Sequence, residues 1–247
     1  MNSAFHDVDV ESIVKTSIRK HPLVDRINKT NERGLDEMSS VLEESFVAEP
    51  KFFKQVSELV SQKTKAAHIE LYKNYVEVFN RVSVELDTAE RSETNSRHSE
   101  FRSLKLDETY NLNATWLHEL YFAASYDPHS ELYMDSLTYI ELERSWGTFD
   151  DWQKDFMACA LSCGDGWAVC GFNMFLKKFV NTFVSNNSQD VMVGLYPVVV
   201  LDVHEHSYFR DYLSDKKSYI VAMMRQIDWN VVEERFMKCK AIAEVLK

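Results

Sequence analysis

The feature that most constrains this chain is a long stretch without helix breakers. No Gly or Pro occurs between Pro50 and Pro128. Apolar residues recur at the three- and four-residue spacing of a helix face through Phe52–Val60 and again through Leu71–Val82. The polar segment Asp87–His98, rich in Ser and Thr, is typical of a connection between two helices. This part of the chain therefore predicts a long helical hairpin.

The second half of the chain has a different pattern. Short segments rich in β-branched and aromatic residues, separated by Asn, Ser and Gly, predict three antiparallel strands. These segments are Trp167–Phe175, Phe179–Val184 and Val191–Leu201. From Tyr208 to the end the pattern is helical, with a turn predicted at Asp228–Asn230. We therefore predict an α+β fold, in which an N-terminal long helical hairpin is followed by a C-terminal domain with a three-stranded antiparallel sheet and helices.

A turn signal at Tyr126–Pro128 follows a helical stretch at Thr115–Ala124 and indicates a domain boundary. Three regions result: an acidic N-terminal extension at residues 1–50, a helical hairpin domain at 51–126 and a C-terminal α+β domain at 127–247.

Composition limits the classes of function. With 45% hydrophobic residues, 6 Gly and 4 Pro, the chain is too apolar to be mainly disordered. The net charge of −11 disfavours nucleic acid as a partner, since that affinity depends on basic residues. The longest apolar stretch, Leu195–Val203, is too short to cross a bilayer, so no membrane association is expected.

The first residues and the cysteines bear on the compartment. Met1–Lys15 carries three acidic residues and no apolar run, which argues against a secretory signal and a basic transit helix. The 4 cysteines match neither a disulfide framework nor a paired zinc motif. We expect reduced thiols in a soluble intracellular protein, cytoplasmic or mitochondrial.

The strongest local motif is DVHEH, which begins at Asp202 directly after an apolar strand. If the chain turns helical there, Asp202 and His206 lie on one face and could bind one metal ion. Such a pair is also common by chance, as a capping Asp beside a solvated His.

Three ordered blocks resemble the iron/manganese superoxide dismutase family. The run PVVVLDVHEHSYFRDY, which begins at Pro197, resembles the DVWEHAYY signature of that family. The block Trp146–Asn173 resembles its FGSFD and GSGW segments, and TWLHELYF, at Thr115–Phe122, resembles its WNHxFYW segment. The resemblance extends over roughly Lys65–Phe236.

The resemblance implies an antioxidant enzyme, a superoxide dismutase. Such an enzyme disproportionates superoxide to oxygen and hydrogen peroxide by cycling one Mn or Fe ion per chain between 2+ and 3+. The family binds this metal through three His and one Asp, and His118, Asp202 and His206 match three of these positions. Imidazole and carboxylate ligands also suit iron or manganese.

The fourth ligand falls on the first long helix. VSQKTKAAH matches the family's ISxETxxxH and places His68 at the ligand position, whereas YVEVFN resembles YVxxLN one residue too close. Either His68 binds and the helix has lost one residue, or Tyr75 keeps the register and Ala67 faces the metal. His68 is the favoured candidate, against the alternative of a surface histidine.

The resemblance also implies catalytic roles for three residues. Gln189, in NNSQD, would reach the solvent at the metal, as in manganese-type members. Ala114 occupies the position where iron-type members often have their glutamine, so manganese is slightly favoured. Tyr75 would be the gateway tyrosine and Trp167 a wall of the metal pocket. An exposed amide, a packed tyrosine and an ordinary core tryptophan are the corresponding structural alternatives.

One further residue matches a dimer contact of the family, and three residues differ from the family's pattern. Glu205 matches a glutamate that reaches a ligand histidine across a twofold interface, which implies a homodimer or higher homo-oligomer. His204 replaces a tryptophan and could move toward the metal or act beside its ligands. Phe209 replaces a tyrosine of the dimer contact, and Val169 replaces a second tryptophan.

These departures leave an alternative function open. The chain could be a catalytically weak or inactive scaffold with the superoxide dismutase fold, for example a subunit of a larger assembly.

Overall fold

The computed structural model of the protein describes residues 48, 50–53, 55, 58–125 and 130–245. Nearly all of the predicted extension at 1–50, and the predicted boundary between 126 and 127, lie outside the described residues. The described residues belong to one compact unit. The division of this unit into a hairpin domain and an α+β domain stays a prediction.

Two long helices form the hairpin that the breaker-free stretch predicts. Helix α1 spans Gln62–Thr88 and helix α2 spans Glu100–Ala123. Each begins after a serine whose side-chain oxygen accepts a backbone N–H of the first turn, Ser61 for α1 and Ser99 for α2. The predicted connection fills the gap between them, so this prediction is confirmed.

The remaining elements alternate helices with one sheet. Their bounds are α3 Leu137–Trp146, α4 Phe149–Ser162, β1 Gly166–Asn173, β2 Lys178–Ser185, β3 Leu195–Asp202, α5 Glu205–Tyr212, α6 Lys216–Met224 and α7 Trp229–Val245. The described residues thus contain seven helices and a three-stranded antiparallel sheet of order β2-β1-β3, which confirms the α+β fold.

Beyond shifts of one or two residues, three predicted boundaries differ from the structure. The first long helix begins at Gln62, so the described residues within the predicted helical stretch Phe52–Val60 lie outside it. The third strand begins at Leu195 and not at Val191. The helical region after Tyr208 is interrupted at Leu213, which has a φ of 52°. Asp215 then caps the next helix by accepting the backbone N–H of Ser218. No Gly or Pro marks this break, and for that reason the sequence pattern misses it.

The register of the sheet brings the ends of two strands together at the site. In the centre, β1 is buried along its whole length. Its pairing with β3 shifts by one residue at Gly171, opposite Pro197. A proline has no N–H to donate to the neighbouring strand. It is tolerated at a bulge because the hydrogen-bond ladder is interrupted there. Beyond the bulge, Trp167 on β1 pairs directly with Asp202 at the end of β3.

The core fills the space between the sheet and the helices. Trp152 and Phe156 of α4 and Phe236 of α7 are fully buried. All four cysteines are free thiols. Among the described residues, no helix combines the length and apolar character needed to span a membrane.

Candidate metal centre

Four side chains from four elements converge on one point in the interior. They are His68 of α1, His118 of α2, Asp202 at the end of β3 and His206 in the first turn of α5. One ligand atom from each lies within 4.8 Å of the other three. Oδ2 of Asp202 is 3.0 Å from Nε2 of His68, 3.2 Å from Nε2 of His206 and 3.7 Å from Nε2 of His118.

One of the four clustered side chains is more accessible to solvent than the other three. His68, His118 and Asp202 are buried, whereas 30% of the His206 side chain is accessible. His206 is therefore the one proposed ligand whose side chain solvent reaches.

Helix periodicity resolves the alternative left open for the first helix. Ala67 is exposed and His68 is buried in the cluster, so Ala67 does not face the site. Tyr75 lies seven residues after His68, or nearly two full turns, and so shares its face. The Tyr75 ring centroid is 5.3 Å from that of His118. Both residues reach the same pocket, and the two choices posed by the sequence were not exclusive.

His118 presents a free lone pair to the shared point. Its Nδ1 donates to the carbonyl oxygen of Ala114 at 2.6 Å, which leaves Nε2 as the unprotonated nitrogen. That Nε2 is buried and has no hydrogen-bond partner. Burial, followed by the neighbouring His68, lowers the pKa of His118 to about 3. A buried, neutral imidazole with an unpaired Nε2 suits a cation ligand, so this residue fits a metal at the centre.

The Asp202 carboxylate is held as an anion. Burial opposes its ionisation, but His206 and His204 keep its pKa well below the usual range. Burial likewise lowers the pKa of His68, while Asp202 raises that of His206 against the effect of burial. The main chain is anchored as well, since the Tyr219 hydroxyl donates to the carbonyl of Asp202 at 2.8 Å. Three imidazoles and one carboxylate are the donor set expected for iron or manganese.

Trp167 borders the cluster, and an asparagine stands beside it. The Trp167 ring centroid lies 4.7 Å from that of His118. Its Nε1 donates to Oδ1 of Asn187 at 2.7 Å, and Asn187 is completely buried.

Asn187 lies where Gln189 was expected. Gln189 is exposed, and its backbone closes a tight turn with Ser185. This turn passes through Asn186 and Asn187, both with positive φ, and therefore directs Asn187 inward. The structure thus places Asn187, two residues before Gln189, beside the cluster. The NN pair, which readily adopts positive φ, was the signal that could have indicated this turn.

The Tyr75 hydroxyl completes this side of the pocket. It interacts with Tyr110 of α2 and with Asn187. Burial, and then the nearby Tyr110, raise the pKa of Tyr75 above its ordinary value. The hydroxyl, protonated at neutral pH in any tyrosine, therefore keeps its proton further into the alkaline range.

Comparison with known proteins agrees with this geometry. Residues 136–235 match the family profile described as iron/manganese superoxide dismutases, C-terminal domain. A protein of Aquifex aeolicus (strain VF5) named as an iron superoxide dismutase is 34% identical over 179 residues, which cover 71% of this chain and 83% of that relative. The chain belongs to the iron/manganese superoxide dismutase family. The resemblance inferred from three sequence blocks is confirmed.

Relatives named for either metal occur among the similar proteins. A manganese superoxide dismutase of Halobacterium salinarum is 30% identical over 169 residues, which cover 67% of this chain and 80% of that relative. An iron superoxide dismutase of Cupriavidus metallidurans is 33% identical over 135 residues, 54% of this chain and 66% of that relative. Family membership therefore implies iron or manganese without choosing between them.

The remaining predicted site residues lie on or beside α5. Glu205 and Phe209 are exposed one turn apart on α5, and 51% of Phe209 is accessible. His204, at the position of the family's tryptophan, is buried between Asp202 and the helix. Val169 is buried within β1, where it packs in the core.

Proposed function

We propose that this protein is a superoxide dismutase that binds one manganese or iron ion per chain through His68, His118, Asp202 and His206. The reaction converts two superoxide anions and two protons into one oxygen and one hydrogen peroxide. The bound ion would supply the one-electron couple, alternating between 2+ and 3+. The observation that carries the proposal is the convergence of these four ligand atoms within 4.8 Å in a chain of this family.

The residues around the cluster would control access and protons. Trp167 contacts the ring of His118 and would exclude water and larger ligands from that side. Tyr75 is protonated at neutral pH, as any tyrosine is, and burial raises its pKa further, so its hydroxyl can donate a hydrogen bond to an anionic substrate. Asn187, which interacts with Tyr75 and accepts from Trp167, would hold this hydroxyl in place.

Manganese is proposed over iron. Ala114 is small and fully buried at the position where iron-type members often have a glutamine. The amide beside the pocket comes instead from the C-terminal part of the chain, as Asn187. Gln189 is exposed and cannot supply this amide, but Asn187 belongs to the same C-terminal segment. The amide therefore still comes from the part of the chain that supplies it in manganese-type members.

A homodimer is proposed on the exposure of Glu205 and Phe209. Both project from α5, the helix that also carries His206. A second copy covering α5 would place its own Glu205 near this site. We also propose an intracellular location, cytoplasmic or mitochondrial, which the four free cysteines support.

The test is reconstitution of the full chain with manganese or with iron, followed by metal analysis and a superoxide-consumption assay. We expect about one ion per chain and activity in at least one of the two forms. The alternative is a scaffold with this fold, which the replacement of a contact tyrosine by Phe209 favours. Folded protein that takes up neither metal and consumes no superoxide would support the scaffold.

A further inference from the structure

His204 has an unusual position between two of the proposed ligands. It follows Asp202 by two residues and precedes His206 by two, and only 6% of its side chain is accessible. The sequence resemblance places a tryptophan here. A buried imidazole therefore stands at a position where this chain departs from its family.

Two donors from this one residue reach the same carboxylate oxygen. The backbone N–H of His204 and its Nδ1 each lie 2.9 Å from Oδ1 of Asp202. A carboxylate that binds a metal is deprotonated and can only accept, so at this distance Nδ1 is the donor. Oδ1 is thereby occupied, and the other oxygen, Oδ2, faces the Nε2 atoms of the three ligand histidines.

The imidazole of His204 is held in this orientation by its neighbours. Its ring stacks on that of His206, with centroids 4.9 Å apart and an interplanar angle of 17°. The indole of Trp167 meets it edge to face at 5.4 Å. Rotation of the ring away from Asp202 would break both contacts, so the Nδ1 donor is preorganised.

A tryptophan could not make the same hydrogen bond. Imidazole Nδ1 is bonded directly to Cγ, whereas the indole N–H is one bond farther from Cβ. The close return from His204 to Asp202, only two residues back, needs the nearer nitrogen. The extra donor on Asp202 therefore follows from the substitution that distinguishes this chain.

We propose that His204 is a positioning residue, whose Nδ1–H bond to Oδ1 fixes the Asp202 carboxylate with Oδ2 toward the metal and raises the reduction potential of the bound ion. A hydrogen bond to the free oxygen withdraws negative charge from the ligand. The 3+ ion loses more stabilisation than the 2+ ion, which favours the reduced state. This inference rests on the proposed metal-binding function.

The test compares two variants of nearly equal size. In His204→Asn the side-chain amide can donate from the position of Nδ1, whereas His204→Leu has no donor. Both keep the backbone N–H. The full chain of each form is loaded with iron or manganese, and its reduction potential is measured by redox titration of the visible absorption of the oxidised ion.

We expect the leucine variant to favour the oxidised ion about tenfold more than the wild type, a lowering of the potential by about 59 mV. The asparagine variant should lie near the wild type, and metal content should be equal in all three. An unchanged potential in the leucine variant, or equal shifts in both variants, would overturn the inference. Should the leucine variant not fold, His204→Trp provides the same comparison without the Nδ1 donor.

Failure of the proposed function gives a different result. In that case the wild type itself would bind no redox-active ion and show no transition, and both proposals would fall together.

Discussion

Nε2 of His68 lies 3.0 Å from Oδ2 of Asp202, although 134 residues separate them along the chain. His68 belongs to the first helix of the hairpin and Asp202 to the last strand of the sheet. The pair therefore connects the two halves of the fold at the proposed metal site. A change at the site can therefore affect both metal binding and the packing of these two halves.

Replacement of His206 by alanine should abolish metal binding with little loss of fold. His206 is the most accessible of the four proposed ligands, so its removal leaves the smallest cavity. We expect His206→Ala to bind less than about a tenth of the wild-type metal and to lose activity by more than about a hundredfold. Metal analysis and a superoxide assay on the purified variant measure both.

His98 supplies the matched control, since it is an exposed histidine in the connection between α1 and α2. His98→Ala should retain wild-type metal content and activity. Full activity in His206→Ala would show that the site is assigned wrongly.

Asn187 and Gln189 give opposite predictions although only one residue lies between them. Asn187→Gly removes the buried amide and still permits the positive φ of this position. It leaves Nε1 of Trp167 without its acceptor and Tyr75 without one neighbour. We expect activity to fall about tenfold, the value of one lost hydrogen bond, while metal content stays the same.

Gln189→Ala is the control for this change because the Gln189 side chain is exposed. Its activity should stay within about twofold of the wild type. The assignment of the amide would be reversed if Gln189→Ala lost activity and Asn187→Gly kept it.

Alkaline pH should destabilise the protein through a buried thiol. Burial raises the pKa of Cys170 to about 12, whereas its value in an unfolded chain is near 9. Between these values the unfolded chain has lost the proton and the folded chain keeps it. The free energy of unfolding therefore falls as pH rises, by at most about 1.4 kcal/mol per pH unit for this group.

Urea unfolding of wild type and Cys170→Ala between pH 8.5 and 10 measures this effect. The variant is expected to lose part of the slope, since its side chain does not ionise. Identical slopes in the two proteins would mean that Cys170 is not the group responsible.

Local patterns predicted the elements better than their connections. The absence of Gly and Pro between Pro50 and Pro128 predicted both long helices, and β-branched segments predicted all three strands. The break at Leu213 was missed because it depends on a polar cap at Asp215 and not on a breaker residue. Cross-strand partners, such as Trp167 and Asp202, depend on a bulge at Gly171 that no periodicity reveals.

At the site, the sequence predicted which residue types occur but not the direction in which each side chain points. His118, Asp202 and His206 were placed by motif, and His68 by one of two competing registers. The inward amide was assigned to Gln189 because the motif gives order along the chain, whereas the direction of a side chain depends on the backbone. Positive φ at Asn186 and Asn187 turns Asn187 inward and leaves Gln189 exposed. The hydrogen bond from His204 to Asp202 depends likewise on three-dimensional structure.

The central claim is that one manganese or iron ion is held by four side chains. A crystal structure of the metal-loaded chain, with anomalous diffraction recorded at the absorption edges of manganese and iron, tests it most directly. We predict one strong peak, about 2.0–2.3 Å from Nε2 of His68, His118 and His206 and from Oδ2 of Asp202. A well-ordered, metal-loaded crystal whose peak lies elsewhere, or that has no peak at this point, would contradict the account.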